Sequence, residues 1–99
     1  MTHARDACWD DYMTVSLKDP VEAAAYLDAM LALNDHEAML MALRHVAKAH
    51  GMAEVARQAQ LGEKTLFKTL SEQGNPTLST LNRVLQALGL RLRVEPITT

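Results

Sequence analysis

Little in this chain could staple, span or stack. One cysteine, Cys8, stands among 99 residues, so no internal disulfide can form, and a single thiol fits a reducing compartment. Aromatics number one tryptophan, two tyrosines and one phenylalanine. With apolar residues at 48%, alanine, leucine and methionine must then supply the core, which favours helices over sheets. No apolar run approaches the roughly 20 residues needed to cross a bilayer. The opening stretch MTHARDACWDD carries acids and no apolar segment, so no signal peptide is expected and the expected location is the cytoplasm. A chain of 99 residues makes one domain with a modest core.

Catalytic and metal chemistry are equally thin. His45 and His50 are five apart and do not share a helix face, while His3 and Cys8 fall in a terminal stretch. No pair has zinc spacing, so no metal is expected. Ser71, Ser79 and the histidines offer no nucleophile–base arrangement. Gly74-Asn75-Pro76 is too short for a phosphate loop. An enzyme is not expected, nor a cofactor.

What is present is a series of punctuated helical stripes. Residues 1–18 form an N-terminal segment whose first eight residues are expected to fray. Within it, Trp9, Tyr12, Met13 and Leu17 follow a helical spacing, while Met13, Val15 and Leu17 also alternate as a strand would. Asp19-Pro20 then marks a helix start, with Asp19 as cap and Pro20 at the first helical position. Ala23, Tyr26, Leu27, Met30 and Leu31 share a face of that helix. Asp35 can cap the next, whose stripe is Met39, Leu40, Leu43, Val46 and Ala47 and which Gly51 ends. A last helix carries Leu78, Leu81, Val84, Leu85 and Leu88 and stops at Gly89. Leu90, Leu92 and Val94 then alternate with Arg91, Arg93 and Glu95, a half-buried strand pattern ended by Pro96. A lone strand needs a partner. Pairing two copies across a two-fold axis through Leu90, Leu92 and Val94 supplies one.

The stretch between these helices, MAEVARQAQLGEKTLFKTLS at 52–71, reads as a helix-turn-helix. Val55, Ala56 and Ala59 share one face of a first short helix, and Leu66, Phe67 and Leu70 repeat the pattern on a second. Leu61 plugs inward from the turn. Ala56 permits the close approach that two crossing helices need. The positions left outward on the second helix are Glu63, Lys64, Thr65, Lys68 and Thr69, short or basic residues that suit a DNA groove and its phosphates.

The net charge of −2 hides an uneven distribution. Two bases against eight acids leave residues 1–40 at −6, whereas eight bases against four acids put residues 41–99 at +4. The helix-turn-helix lies in the basic part, where a phosphate-facing surface belongs.

At these residues the chain resembles the Cro/repressor-type helix-turn-helix proteins. More narrowly it is similar to the addiction-module antidote proteins, the DNA-binding partners of toxin–antitoxin pairs (the HigA-like group). The matching pieces are LKDP at 17–20, AAAYLDAML at 23–31, ALRHVAKAHGM at 42–52, LGEKTLFKTLSEQGNP at 61–76 and TLNRVLQALGLRLRVEP at 80–96. Two departures stand out. Gln60 occupies the turn position where such motifs carry glycine, so it must take the backbone geometry glycine normally supplies. Gly62 occupies the cap position where they carry a small hydroxyl residue.

The expectations are therefore an all-α, small helical bundle at residues 19–96, containing a Cro/repressor-like helix-turn-helix, with a short C-terminal β-strand pairing across a homodimer. The resemblance implies a sequence-specific DNA-binding antitoxin that represses its operon and neutralises a small toxin. Its expected partners are double-stranded operator DNA and that toxin, with no membrane. The expected DNA-binding residues are Arg57, Gly62, Glu63, Lys64, Thr65 and Lys68. Two alternatives stand beside it: a helix-turn-helix repressor without a toxin, and a helical protein-interaction module.

Overall fold

The computed structural model describes residues 16–97. Among the described residues there are five helices and no strand: α1 (Pro20–Ala32), α2 (His36–His50), α3 (Met52–Ala59), α4 (Glu63–Thr69) and α5 (Leu78–Ala87).

Three helices begin on side-chain caps. Asp19 accepts the Val21 N–H at 3.1 Å, with Pro20 at the first helical position. Asp35 accepts the N–H groups of Glu37 and Ala38 at 3.0 and 3.3 Å. The Thr77 hydroxyl accepts the Thr80 N–H at 3.1 Å. Each such cap contributes about 1 kcal/mol by satisfying a donor the helix itself leaves free. Helices α3 and α4 begin instead at Gly51 and Gly62, with no side-chain cap.

The core is built from leucine, valine and alanine. Leu40, Leu43 and Val46 of α2 are fully buried, as are Leu66 and Leu70 at α4 and Val84 and Leu88 at α5. Helix α3 is the hub, packing on α2, α4 and α5, while α1 packs on α2. It meets three neighbours because its inward residues, Val55, Ala56 and Ala59, are small and buried. A larger side chain at Ala56 would overpack the junction at a cost of about 1–3 kcal/mol.

Several sequence expectations shift in the tertiary structure. Leu78, expected in the α5 stripe, is 71% exposed, because it stands in the first turn beyond the reach of the core. Leu31 lies outside the α1 contact, where only Ala23 and Leu27 are buried and Tyr26 and Met30 half-buried. The expected C-terminal strand is absent: residues 91–97 run as irregular, exposed chain after a half-buried Leu90. A strand is held by ladder hydrogen bonds to a neighbour, and the described part of this chain is helical and offers none. The expected fraying of residues 1–8 and the helix-or-strand pattern at residues 9–15 lie outside the described residues. Leu17 is buried against the core.

Candidate nucleic-acid interface

Helices α3 and α4 meet through three residues, Gln60, Leu61 and Gly62. Gln60 adopts the left-handed conformation at φ 60° and ψ 44°, the geometry that a glycine would supply at less cost. The bend is fixed by two hydrogen bonds back onto α3: the Gln60 N–H to the Arg57 carbonyl at 3.2 Å and the Leu61 N–H to the Ala56 carbonyl at 2.8 Å. Leu61 is half-buried and packs on the core from the corner. Gly62 then opens α4 in extended conformation, φ −71° and ψ 152°.

Helix α4 is anchored by one line of residues, Leu66 and Leu70, both fully buried. Its outward side carries Glu63, Lys64, Thr65 and Lys68, all exposed, while Thr69 is half-buried. Phe67 belongs to that outward side as well, at 48% exposure, which corrects its assignment to the core. Residues 66 and 70 are one helical turn apart and already fill the seam; residue 67 is rotated about 100° away from that line. It stands three residues from Lys64 and beside Lys68, so an aromatic face joins the basic side chains.

The far end of α4 is clamped by groups the sequence reading left unassigned. The Arg44 guanidinium, half-buried on α2, donates through Nη1 to the Leu70 carbonyl at 2.5 Å. The Ser71 hydroxyl donates to the Lys68 carbonyl at 2.7 Å. In the following loop the Gly74 N–H reaches the Ser71 carbonyl at 2.8 Å, and His36 Nε2 donates to the Gly74 carbonyl at 3.0 Å. Helix α4 is too short to be stable alone, so these contacts and its two leucines hold its orientation. A cation at the C-terminus of a helix is a sequence signal, but that Arg44 would serve a helix 26 residues away was not legible.

Arg57 projects from α3 with its side chain 70% exposed and is held by Glu54, one turn earlier. Its Nε donates to Glu54 Oε1 at 3.1 Å and its Nη2 to Oε2, and Gln58 adds a bond to Oε2 at 2.6 Å. These donors, Arg57 first, hold the Glu54 carboxyl below the usual carboxylate range. Any phosphate reaching Arg57 competes with that carboxylate. Beside the corner a pocket of about 310 Å³ is lined by Gln58, Gln60, Arg83, Gln86 and Ala87. Leu90 is half-buried while Leu92 and Val94 are 40% and 95% exposed, and the tail lines a groove with α1.

A family described as "Probable addiction module antidote protein" matches this chain over residues 10–96. The chain belongs to that family. Membership points to an antitoxin's role and implies a toxin as partner. An uncharacterized protein of Haemophilus influenzae is 38% identical over 74 residues, covering 75% of this chain and 76% of the relative. No solved structure matches. The family match takes in α1 through α5 and the tail, so the α3–α4 corner, its clamps and the outward residues of α4 all lie within antidote-family sequence. No helix among the described residues is long and apolar enough to cross a membrane.

Proposed function

We propose that this antidote is a cytoplasmic, sequence-specific DNA-binding protein that represses its own operon and neutralises its toxin. The α3–α4 pair acts as a helix-turn-helix and α4 as its reading helix. The observation that carries the reading is the corner itself: a left-handed residue joins two short helices, and the second presents two lysines, a threonine and a phenylalanine outward. A recognition helix reads with its N-terminal residues. Lys64 and Thr65 therefore meet base edges, lysine donating to guanine O6 and N7 and threonine offering a hydroxyl and a methyl. Lys68, one turn further, and Arg57, once drawn off Glu54, meet phosphates. Glu63 and Gly62 lie at the helix start, where the backbone comes closest. The exposed Phe67 ring suits a thymine methyl.

The protein works as a two-fold dimer, because an operator read by two copies doubles the contact and the free C-terminal tail has its apolar alternation unspent. In the dimer, residues 90–95 of two copies pair edge to edge through Leu90, Leu92 and Val94. The test is a titration of the protein against a duplex from upstream of its own coding sequence and against a scrambled duplex, at several salt concentrations. Binding should favour the upstream duplex and weaken steeply with salt. Equal, salt-insensitive binding or none would reject the DNA-binding reading and leave a protein-interaction module.

A further inference from the structure

The described arginines differ in what satisfies them. Arg44 gives its guanidinium to the Leu70 carbonyl and Arg57 to the Glu54 carboxylate. Arg91 and Arg93 stand in open solvent. Arg83 of α5 is half-buried, and among the described residues it has no hydrogen bond or ion pair. Its Nε is shielded from water and meets no acceptor. A guanidinium partly withdrawn from water without an acceptor is costly to hold. An arginine that merely covers apolar surface with its stem keeps its charged head in water and asks nothing polar of its neighbours.

The neighbours of Arg83 are polar. It lines the pocket of about 310 Å³ between α3 and α5, together with Gln58, Gln60, Gln86 and Ala87. One guanidinium and three side-chain amides border this space, and no carboxylate does. Glu54, one turn before Gln58, is outside the lining and already held by Arg57 and by Gln58. Gln58 spends one amide hydrogen there at 2.6 Å and keeps the other. Donors around a single cation suit an anion with several acceptor oxygens, and the arginine fork matches phosphate in particular. Position narrows the anion further. Gln60 is the corner residue, and α4 begins just beyond it at Glu63. In a helix-turn-helix the first helix crosses the DNA backbone while the second enters the groove. A pocket at the end of that first helix therefore meets backbone phosphate.

We infer that Arg83, with Gln58, Gln60 and Gln86, forms a phosphate-binding pocket that grips the DNA backbone beside the reading helix. The inference rests on the DNA-binding reading of α3 and α4 and adds a contact from a third helix, α5. The phosphate gives Arg83 the acceptor that the protein withholds. No base is touched, so the pocket adds affinity and register without sequence preference.

The test is a salt titration of the full chain against the upstream and scrambled duplexes, with Arg83→Gln, Gln86→Glu and Lys18→Gln beside wild type. Arg83→Gln removes the charge. Gln86→Glu sets a carboxylate at the exposed rim of the pocket, on a helix that tolerates glutamate, so it should fold as wild type by circular dichroism. Lys18→Gln removes an exposed charge outside α3, α4 and α5. Arg83→Gln should weaken binding to both duplexes about eightfold at roughly 0.1 M salt and flatten the salt slope by about one unit, the share of one phosphate contact. Gln86→Glu should weaken both duplexes alike, and Lys18→Gln should leave the slope unchanged. An equal flattening by Lys18→Gln would make the effect one of net charge and overturn the pocket. Wild-type binding by Arg83→Gln and Gln86→Glu overturns it too, while leaving α4 as the reader. Inorganic phosphate added to the DNA-free chain at constant ionic strength, followed on the Arg83 Nε–H resonance, separates the sources of phosphate. Saturation there, with a wild-type DNA slope in Arg83→Gln, would assign the pocket to a free phosphate group and overturn the DNA contact. Absence of binding to either duplex by the wild-type chain overturns the DNA-binding reading and this contact together.

Discussion

Replacing Gly74 with alanine should unlatch the far end of α4. A Cβ built on Gly74 would lie 1.9 Å from the Thr69 carbonyl oxygen, 2.6 Å from its carbon and 2.9 Å from the Lys68 carbonyl oxygen. These are backbone atoms of the last turn of α4, so no side chain can swing aside. Ordinary contact begins near 3.4 Å, and the loop and the helix end must part by about 1.5 Å. Overpacking of this kind costs about 1–3 kcal/mol. The displacement also breaks the Gly74–Ser71 and His36–Gly74 hydrogen bonds, each contributing about 0.5–1.5 kcal/mol. The combined loss is about 2–6 kcal/mol, a large part of the stability of a domain this size, and should lower Tm by about 10–40 °C. The assay is urea and thermal unfolding followed by circular dichroism, with Gly62→Ala as the control. Gly62 has negative φ, and a Cβ there would meet only Thr65 Oγ1 at 3.9 Å, so that variant should stay within about 0.5 kcal/mol of wild type. If Gly74→Ala melts within 2 °C or so of wild type, the loop is not seated against α4 as described and the reasoning fails.

Arg44→Met removes a charged hydrogen bond to the Leu70 carbonyl while keeping the stem's volume; it should cost about 1.5–3 kcal/mol in urea unfolding. Lys64→Ala and Thr65→Ala should each lose about 1–3 kcal/mol on the upstream duplex with little effect on scrambled DNA, whereas Lys68→Ala should weaken both and flatten the salt slope by about one unit. Wild-type binding by the first two would remove α4 as the reader. Glu54→Gln frees Arg57 and should tighten DNA binding and steepen the salt slope by about one unit in the same titration. Because the folded-state pKa of Glu54 is depressed, its contribution to stability is present above the ordinary carboxylate pKa and lost as pH falls through the depressed value. Stability measured between pH 5 and 3 should therefore fall more steeply in wild type than in Glu54→Gln. Leu92→Pro removes a ladder donor and an apolar contact from the tail, so light scattering should show monomers with weaker operator binding; a surviving dimer would place the interface elsewhere.

Local chemistry was legible because it is written in neighbours. Asp19-Pro20 and Asp35 mark helix starts through bonds that span two or three residues, and both are found where they were expected. The same holds for Gln60, which stands where the motifs it resembles carry glycine and takes the left-handed geometry that glycine supplies. Periodicity named most of the core, because a residue's angular position on a helix follows from its number alone. Periodicity could not say how wide the buried stripe is. Phe67, Leu31 and Leu78 sit at the edges of their stripes, and only the neighbours' positions left them outside.

The sequence by itself determined a helical domain, its caps and corner, the separation of acid from base along the chain, and the outward setting of Glu63, Lys64, Thr65 and Lys68 on α4. The tertiary structure alone decided two further things. It brought Arg44 and His36 of α2 to the end of α4 and its loop, contacts made across 26 and 38 positions that no spacing rule encodes. It also left α1 half covered and the tail without a sheet, because burial and strand pairing depend on what else is within reach in space. A stretch's own composition states what it needs covered; only the packing of the rest of the chain settles whether it is.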